Sequence, residues 1–306
     1  MRASLADNAT LVERIDVNAT LAIFRIRPEV VPASTETWFV PGQYVTIGVG
    51  DVQRAYSIAS DPGERRWLEF YVRYARDPET DTPLTHELWK LPVGARLYLG
   101  GKIAGRFTLE RTQAPNDVRS LLLVAAGTGV APFVSMVRHA RRRSDERILG
   151  RIAVVHGVSH PDELAYRSEL EDSGRESGLR YVPTISRAVE HPDWTGARGR
   201  AESLLDAARL DGDARELGLG GGSLRPDRVA VYVCGFRGTL ASSLKSLVGR
   251  GFTPEDRKLR RLLGIPNAAS PSLFFEQYDL EPIFDPSDTA TLESLRAAVR
   301  SARSSP

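Results

Sequence analysis

An arginine, a tyrosine and a serine stand within four residues at Arg54-Ala55-Tyr56-Ser57, and their functional groups suit one kind of ligand. Arg54 offers a rigid fork of donors for a diphosphate, Tyr56 a flat face for a stacked ring, and Ser57 a small hydroxyl that can approach a ring nitrogen. Together they can hold a flavin dinucleotide. The same residues also suit an ordinary barrel strand, so the rest of the chain has to decide. A second candidate is Gly127-Thr128-Gly129-Val130-Ala131-Pro132, which directly follows the apolar run Leu121-Leu122-Leu123-Val124-Ala125-Ala126. A buried strand, a glycine-rich turn and then a helix is the arrangement that aims backbone amides at a pyrophosphate. A third is the chain's single cysteine, Cys234, in Cys234-Gly235 at the end of another apolar run; a lone cysteine also serves as a small buried hydrophobe.

Two kinds of element must position these groups. Between residues 10 and 100, short apolar runs of period two are punctuated by Pro and Gly, with the best strands at residues 21–26, 44–49, 54–59, 67–75 and 95–99. Such spacing predicts an antiparallel β-barrel. One short helix, residues 84–91, follows Asp81-Thr82-Pro83, and its N-terminal amides suit a phosphate. From Ser120 the period changes. Strand-helix alternations at residues 121–143, at 151–158 with a helix from Asp162, at 179–186 with a helix from Ala201, and at 228–234 with a helix from Gly238 predict a doubly wound α/β parallel sheet. The expected organisation is a barrel over residues 1–112, an α/β domain over 113–285 and a tail over 286–306 carrying a further helix at 291–302. Residues 212–227, with Gly218-Leu219-Gly220-Gly221-Gly222, read as a flexible insertion.

Composition excludes several classes. At 306 residues the chain has room for two cores, and 41 basic against 39 acidic residues leave a formal charge of +2, which argues against nucleic acid as a partner. No apolar stretch reaches the roughly 20 residues a membrane helix needs. Residues 1–15 have no hydrophobic core of a signal peptide, and a cytoplasmic location is expected. One cysteine cannot ligate an iron-sulfur cluster, which needs about four thiolates. No zinc-binding motif is visible and no metal is expected.

The motifs, in order, resemble those of the plant-type ferredoxin-NADP reductase family, in its bacterial branch. Arg54-Ala55-Tyr56-Ser57-Ile58-Ala59-Ser60 is similar to R-x-Y-S-x-x-S, residues 127–132 to G-T-G-x-A-P, His156-Gly157 with Glu163-Leu164-Ala165-Tyr166 to H-G-x-R-x-x-x-E-L-A-Y, and residues 231–238 to V-Y-x-C-G-x-x-G. Ser159 departs from the arginine of the third motif. The resemblance implies an FAD enzyme that moves hydride between NADPH and flavin N5 and exchanges single electrons with a ferredoxin or flavodoxin. It assigns Arg54, Tyr56, Ser57, Tyr71, Val72, Arg73, Leu84 and Thr85 to FAD. Gly127, Thr128, Gly129, Pro132, Ser186, Arg187, Arg200, Cys234 and Gly235 fall to NADP, and Ser57, Cys234 and Glu276 to catalysis, with Tyr278 stacked over the flavin. Thr85 serves equally as a helix cap, Glu276 as an exposed acid on an edge strand, and Arg187 and Arg200 as surface charges. A reductase component for an oxygenase and a non-catalytic flavin-binding subunit are the alternatives. The tail beyond Tyr278 is expected to dock elsewhere and tether the stacking segment, so that truncation after Tyr278 leaves FAD bound and eases nicotinamide entry.

Overall fold

Alternating apolar and polar residues build the first sheet, because successive strand side chains point to opposite faces. In the computed structural model, residues 6–33, 38–76, 83–114, 116–206, 224–279 and 281–304 are described. They fall into two units, residues 1–114 with 131–145, and residues 115–130 with 146–306. In the first unit β1 (Ala9–Asn18), β2 (Leu21–Pro28), β3 (Tyr44–Val49), β4 (Val52–Ser57), β5 (Leu68–Arg73) and β6 (Arg96–Leu99) form one sheet in the order β4-β3-β6-β1-β2-β5. Every pairing in it is antiparallel. Just beyond β4, the Ala59 amide donates to the Glu69 carbonyl of β5 at 2.8 Å, so a backbone hydrogen bond links the sheet's two edges in the manner of a barrel. Leu11, Phe24, Ile26, Val45, Ile47, Leu68 and Phe70 fill the interior.

Among the best strands read from sequence, β1 was missing. Glu13, Arg14 and Asp16 interrupt its apolar pattern. In the fold these charges are matched: Glu13 faces Arg25 across the β1–β2 pair and accepts from its guanidinium at 2.6 Å, and the Arg14 guanidinium lies over Phe24 and Trp89.

Helix α1 (Leu84–Lys90) covers the sheet with Leu84 and Leu88. Helix α2 (Leu109–Thr112) is capped by Thr108, whose hydroxyl accepts from Arg111 N. The helix after the glycine-rich loop, α3 (Ala131–Arg142), belongs by its contacts to this first unit. A polar clamp holds it there. Ser135 Oγ donates to the Ser60 carbonyl at 2.7 Å, and Arg138 donates to the Ala59 carbonyl at 3.0 Å and to the Glu69 carboxylate at 2.6 Å. His139 meets Asp61 at 3.1 Å.

The second unit is a six-stranded parallel sheet. Continuous apolar runs build it, as expected where both faces are covered. Strands β7 (Ser120–Ala126), β8 (Ile152–Val158), β9 (Arg180–Ile185), β10 (Ala197–Arg198), β11 (Val229–Gly235) and β12 (Leu273–Gln277) stand in the order β10-β9-β8-β7-β11-β12. After β7 the chain steps outward through β8, β9 and β10, then returns to the other side of β7 with β11. That reversal is a topological switch point, where such sheets bind ligands at the carboxyl ends of their strands. The turn leaving β7 carries Gly127–Val130, and β11 itself ends in Cys234-Gly235.

Helices α4 (Glu146–Leu149), α5 (Arg167–Ser177), α6 (Arg237–Val248) and α7 (Arg257–Leu263) complete the connections. The expected helix from Asp162 is a single 3-10 turn at Pro161–Glu163, and α5 begins only at Arg167. The Glu163 carboxylate turns back to accept from Ser159 N at 3.0 Å, fixing the turn instead of extending it. Of the helix expected from Ala201, the described part is a 3-10 stretch, Ala201–Leu205, and residues 207–223 lie outside the described residues. Of the insertion read at 212–227, residues 212–223 lie outside the described residues.

The tail docks on the core of the second unit. Helix α8 (Thr289–Ser304) buries Leu292, Leu295 and Val299 in the same core cluster as Leu240, Leu244, Leu247 and Leu263, and Phe284 joins them. Arg296 Nε also donates to the Leu262 carbonyl at 2.9 Å. An amphipathic helix with three aliphatic anchors is part of a core rather than an appendage to it.

Candidate active site

The arginine-tyrosine-serine stretch lies along β4, an edge strand of the antiparallel sheet. Register with β3 pairs Ile47 with Arg54, Val45 with Tyr56 and Tyr44 with Ser57, so Arg54 and Tyr56 share one face while Ser57 points to the other. Arg54 is exposed, and its guanidinium donates to the carbonyl of adjacent Gln53 at 2.8 Å, with no carboxylate partner among the described residues. Its remaining donors are available to an anion. Tyr56 is half-buried against the sheet core. Burial pushes its phenol up to about 12, against the pull of the Arg54 charge, so the ring stays neutral. Ser57 is buried.

The last serine of the stretch has a structural duty. Ser60 Oγ accepts from Glu69 N at 3.2 Å and the Ser60 carbonyl accepts from Ser135. Glu69 is 2% exposed and bound by both Arg25 and Arg138, at 2.8 and 2.6 Å. Burial alone would raise its carboxyl; the Arg138 charge and hydrogen bond, followed by those of Arg25, hold it below the ordinary glutamate range. This ion cluster fixes the end of the β4 stretch against α3. Sequence reading missed it, because Glu69, Arg25 and Arg138 lie on three separate elements.

Tyr71, Val72 and Arg73 end β5, where Tyr71 pairs with Ile23 and Val72 with Ala22. Val72 joins Leu68 and Phe70 in the core, and Leu84 of α1 is buried in the same cluster, so what Val72 and Leu84 offer a ligand is main chain. Thr85 does not cap its helix. The residue before α1, Pro83, makes no side-chain cap, while Thr85 Oγ1 accepts from Ala75 N at 3.1 Å and ties the chain beyond β5 to the first helical turn.

In the second unit the glycine-rich loop rests directly on the end of β11. A Cβ at Gly129 would lie 2.4 Å from the Cys234 carbonyl oxygen, and Gly127 adopts a φ of +55°. Only glycine fits that approach, since real Cβ contacts never come below about 3 Å. The loop is also held from below. Wholly buried His156 meets the Gly127 carbonyl through Nε2 at 3.0 Å and the Tyr181 hydroxyl through Nδ1 at 3.2 Å. A carbonyl only accepts, so Nε2 carries the proton and Nδ1 accepts from the tyrosine. Burial pushes this imidazole down to about 4 and keeps it neutral.

Cys234, Glu276 and Tyr278 converge beside the loop. Parallel register sets Cys234 opposite Glu276, with Sγ 4.0 Å from the carboxylate. Burial, reinforced by the Glu276 charge, raises the thiol well above its ordinary value, so it stays protonated. Tyr278 N donates to the Gly235 carbonyl at 3.2 Å, its hydroxyl donates to the Thr128 carbonyl at 3.4 Å, and its ring meets Phe236 edge-on. Just past it, Asp279 accepts from Arg237 N at 2.7 Å, at the start of α6.

Ser186, Arg187 and Arg200 lie at the same end of the sheet. Ser186 N donates to the Val158 carbonyl and Arg187 N to the Ser159 carbonyl, continuing the β8–β9 ladder. Arg198 pairs with Ile185, so Arg187 and Arg200 each stand two residues beyond one register pair. Their side chains are 60% and 75% exposed, near Glu190 at 3.2 Å and Glu202 at 4.0 Å. The Arg187–Glu190 pair, exposed on both sides, contributes about 0–1 kcal/mol and yields readily to a phosphate, and the Arg200 contact to buried Glu202 is long.

A glycine-rich loop at the switch point of a parallel sheet, in a chain that also carries an antiparallel barrel-type unit, is the arrangement of a two-domain dinucleotide-binding protein. Residues 123–245 match the model of the oxidoreductase NAD-binding domain. Flavodoxin/ferredoxin-NADP reductase of Rhodobacter capsulatus is 31% identical over 233 residues, which span 71% of this chain and 76% of that one. The chain belongs to the ferredoxin-NADP reductase family. A solved ferredoxin NADP+ reductase from Neisseria gonorrhoeae, with bound FAD and NADP, shares the fold with a TM-score of 0.70 at 21% identity, over 89% of this chain and 98% of that one. The reductase component of phenol 2-monooxygenase from Pseudomonas sp. is also 31% identical, over 58% of this chain but only 47% of its own length. Among the described residues, no helix is long and apolar enough to cross a membrane.

Proposed function

We propose that the protein is a cytoplasmic ferredoxin- or flavodoxin-NADP reductase that holds FAD on residues 1–112 and NADP on residues 113–285. FAD supplies the capacity to take two electrons as hydride and release them singly. The observation that supports the reading is the junction of Gly129 with Cys234, where a backbone approach open only to glycine brings the glycine-rich turn against the strand that carries a neutral thiol beside the Glu276 carboxylate. There Cys234 and Gly235 bound the nicotinamide position, and Glu276 holds a carboxylate beside the thiol. In the first unit Arg54 binds the diphosphate with donors that no acid among the described residues occupies, neutral Tyr56 presents its ring, and Ser57, Tyr71, Arg73 and Thr85 line the flavin; Val72 and Leu84 support it from the core. Thr128 and Pro132 frame the pyrophosphate turn. Tyr278, tied at Gly235 and Thr128, must shift for the nicotinamide to enter.

Ser186, Arg187 and Arg200 receive the 2′-phosphate. Charge-assisted hydrogen bonds contribute about 1.5–3 kcal/mol each, so two arginines favour NADPH over NADH on the order of a hundredfold or more. The test is anaerobic stopped-flow bleaching of the flavin band by each nucleotide in wild type and in Arg187→Ala/Arg200→Ala. Equal efficiency of NADPH and NADH in wild type removes the phosphate assignment, and no bleaching by either nucleotide removes the reductase reading. A second reading, service to an oxygenase, draws on the likeness to the phenol 2-monooxygenase component. Reduction of ferredoxin or flavodoxin compared with that of an oxygenase partner separates the two.

A further inference from the structure

Two loops at the carboxyl end of the parallel sheet bring together three metal-ligating side chains that the reductase reading does not use. His160 follows β8, and Glu190 and His191 follow β9. His160 Nδ1 lies 2.9 Å from His191 Nε2 and 3.8 Å from a Glu190 carboxylate oxygen, and one donor atom from each residue falls within 4.8 Å of the others. The imidazole rings stand at 77° to each other, 5.3 Å between centroids, with one nitrogen of each turned towards the other ring. Two imidazoles and a carboxylate form a mixed nitrogen-oxygen donor set of the kind that takes Zn²⁺ at about 2.0–2.2 Å, leaving a fourth position for water.

The loops are rigid enough to hold such a set. Val158, Leu164, Ile185, Ala188 and Trp194 form a small core of their own beneath them. The backbones are joined by the Ser186–Val158 and Arg187–Ser159 hydrogen bonds, and the His191 carbonyl accepts from Trp194 N at 3.0 Å. Arg198 reaches the Trp194 carbonyl at 3.0 Å, and Arg167 lies over the Trp194 ring. The other Glu190 oxygen lies 3.2 Å from Arg187 in an exposed pair, which leaves the carboxylate free to turn towards a cation.

We propose that His160, Glu190 and His191 bind one divalent transition-metal ion of the Zn²⁺ type, cross-linking the loops after β8 and β9. Without metal, one imidazole donates its N–H to the other. Binding requires that ring to move its proton to its outward nitrogen, so that both facing nitrogens present lone pairs to the metal. No motif announces the site, because 30 residues separate its histidines.

The full chain is titrated with Zn²⁺ by calorimetry and with Co²⁺ by visible absorption, neither of which needs nucleotide or turnover. One ion per chain is expected, with the d–d bands of a four- or five-coordinate nitrogen-oxygen site and a rise in melting temperature with added Zn²⁺. His160→Gln and His191→Gln should each weaken binding at least about tenfold and abolish the thermal shift. Glu190→Gln, at an exposed position, should weaken it less. His86→Gln/His139→Gln, which removes the partly exposed histidines outside the cluster, should leave it unchanged. No saturable Zn²⁺ binding to the wild type overturns the proposal, as does equal affinity in wild type, His160→Gln and His191→Gln.

Discussion

The glycine-rich loop rests on an imidazole whose charge state the fold dictates, and that makes its stability depend on pH in a calculable way. His156 titrates near 6.5 when exposed and is pushed down to about 4 by complete burial. The folded-state value is the lower one, so the unfolded chain binds the extra proton first. The stabilising contribution is therefore fully present above about pH 6.5 and is lost as pH falls towards 4. At 1.36 kcal/mol per unit of separation the full contribution is about 3 kcal/mol, and lowering the pH from about 7 to about 4.5 removes about 2–2.5 kcal/mol of it. Carboxylates such as Glu69 and Asp117, held below their ordinary values by arginines, also lose stability on acidification. They do so equally in a variant that changes only His156. His156→Gln keeps an N–H for the Gly127 carbonyl and removes the titration. Urea-dependent hydrogen exchange of the β7 and β8 amides, measured at both pH values, reads the opening of this unit alone. The variant should show the smaller pH dependence, by about 2 kcal/mol. Identical losses in wild type and His156→Gln would mean that the imidazole is not the neutral support of the loop, and the tautomer assignment to Gly127 and Tyr181 would fall with it.

Gly129→Ala would place a methyl 2.4 Å from the Cys234 carbonyl; a nucleotide affinity lowered at least about tenfold is expected by equilibrium titration, whereas Gly238→Ala, with open space around it, should change nothing. Glu69→Gln should destabilise the first unit by about 2–3 kcal/mol in chemical denaturation, less than for a fully buried pair because Arg25 and Arg138 are 26% and 22% exposed; an unchanged midpoint would show that the clamp on α3 is ornamental. Truncation after Tyr278 removes Phe284, Leu292, Leu295 and Val299 from the core of the second unit. At about 1.5–3 kcal/mol per buried side chain that loss rivals the stability of a whole domain, so the shortened chain should lose its cooperative β7 and β11 protection rather than gain nicotinamide access.

Local patterns in the chain were enough to reveal both kinds of sheet, because hydrophobic period is a local property: alternation marks β2 to β6, and continuous apolar runs mark β7, β8 and β11. The glycine at 129 and the cysteine at 234 were legible as a loop and a strand end for the same reason. What no local pattern contains is which groups meet. β1 hid because its charges are cancelled by Arg25 and by the Phe24 and Trp89 rings, residues supplied by other elements. Glu69 could be recognised as a clamp only once β2, β5 and α3 were assembled around it. The carboxyl-terminal helix showed an apolar stripe in sequence, but its burial against α6 and α7 is a tertiary fact. The pairing of His160 with His191 is another, since it depends on two loops leaving adjacent parallel strands at one end of the sheet. Periodicity sets what each segment can become, whereas long-range contact sets what each side chain touches, and the chemistry follows from the latter.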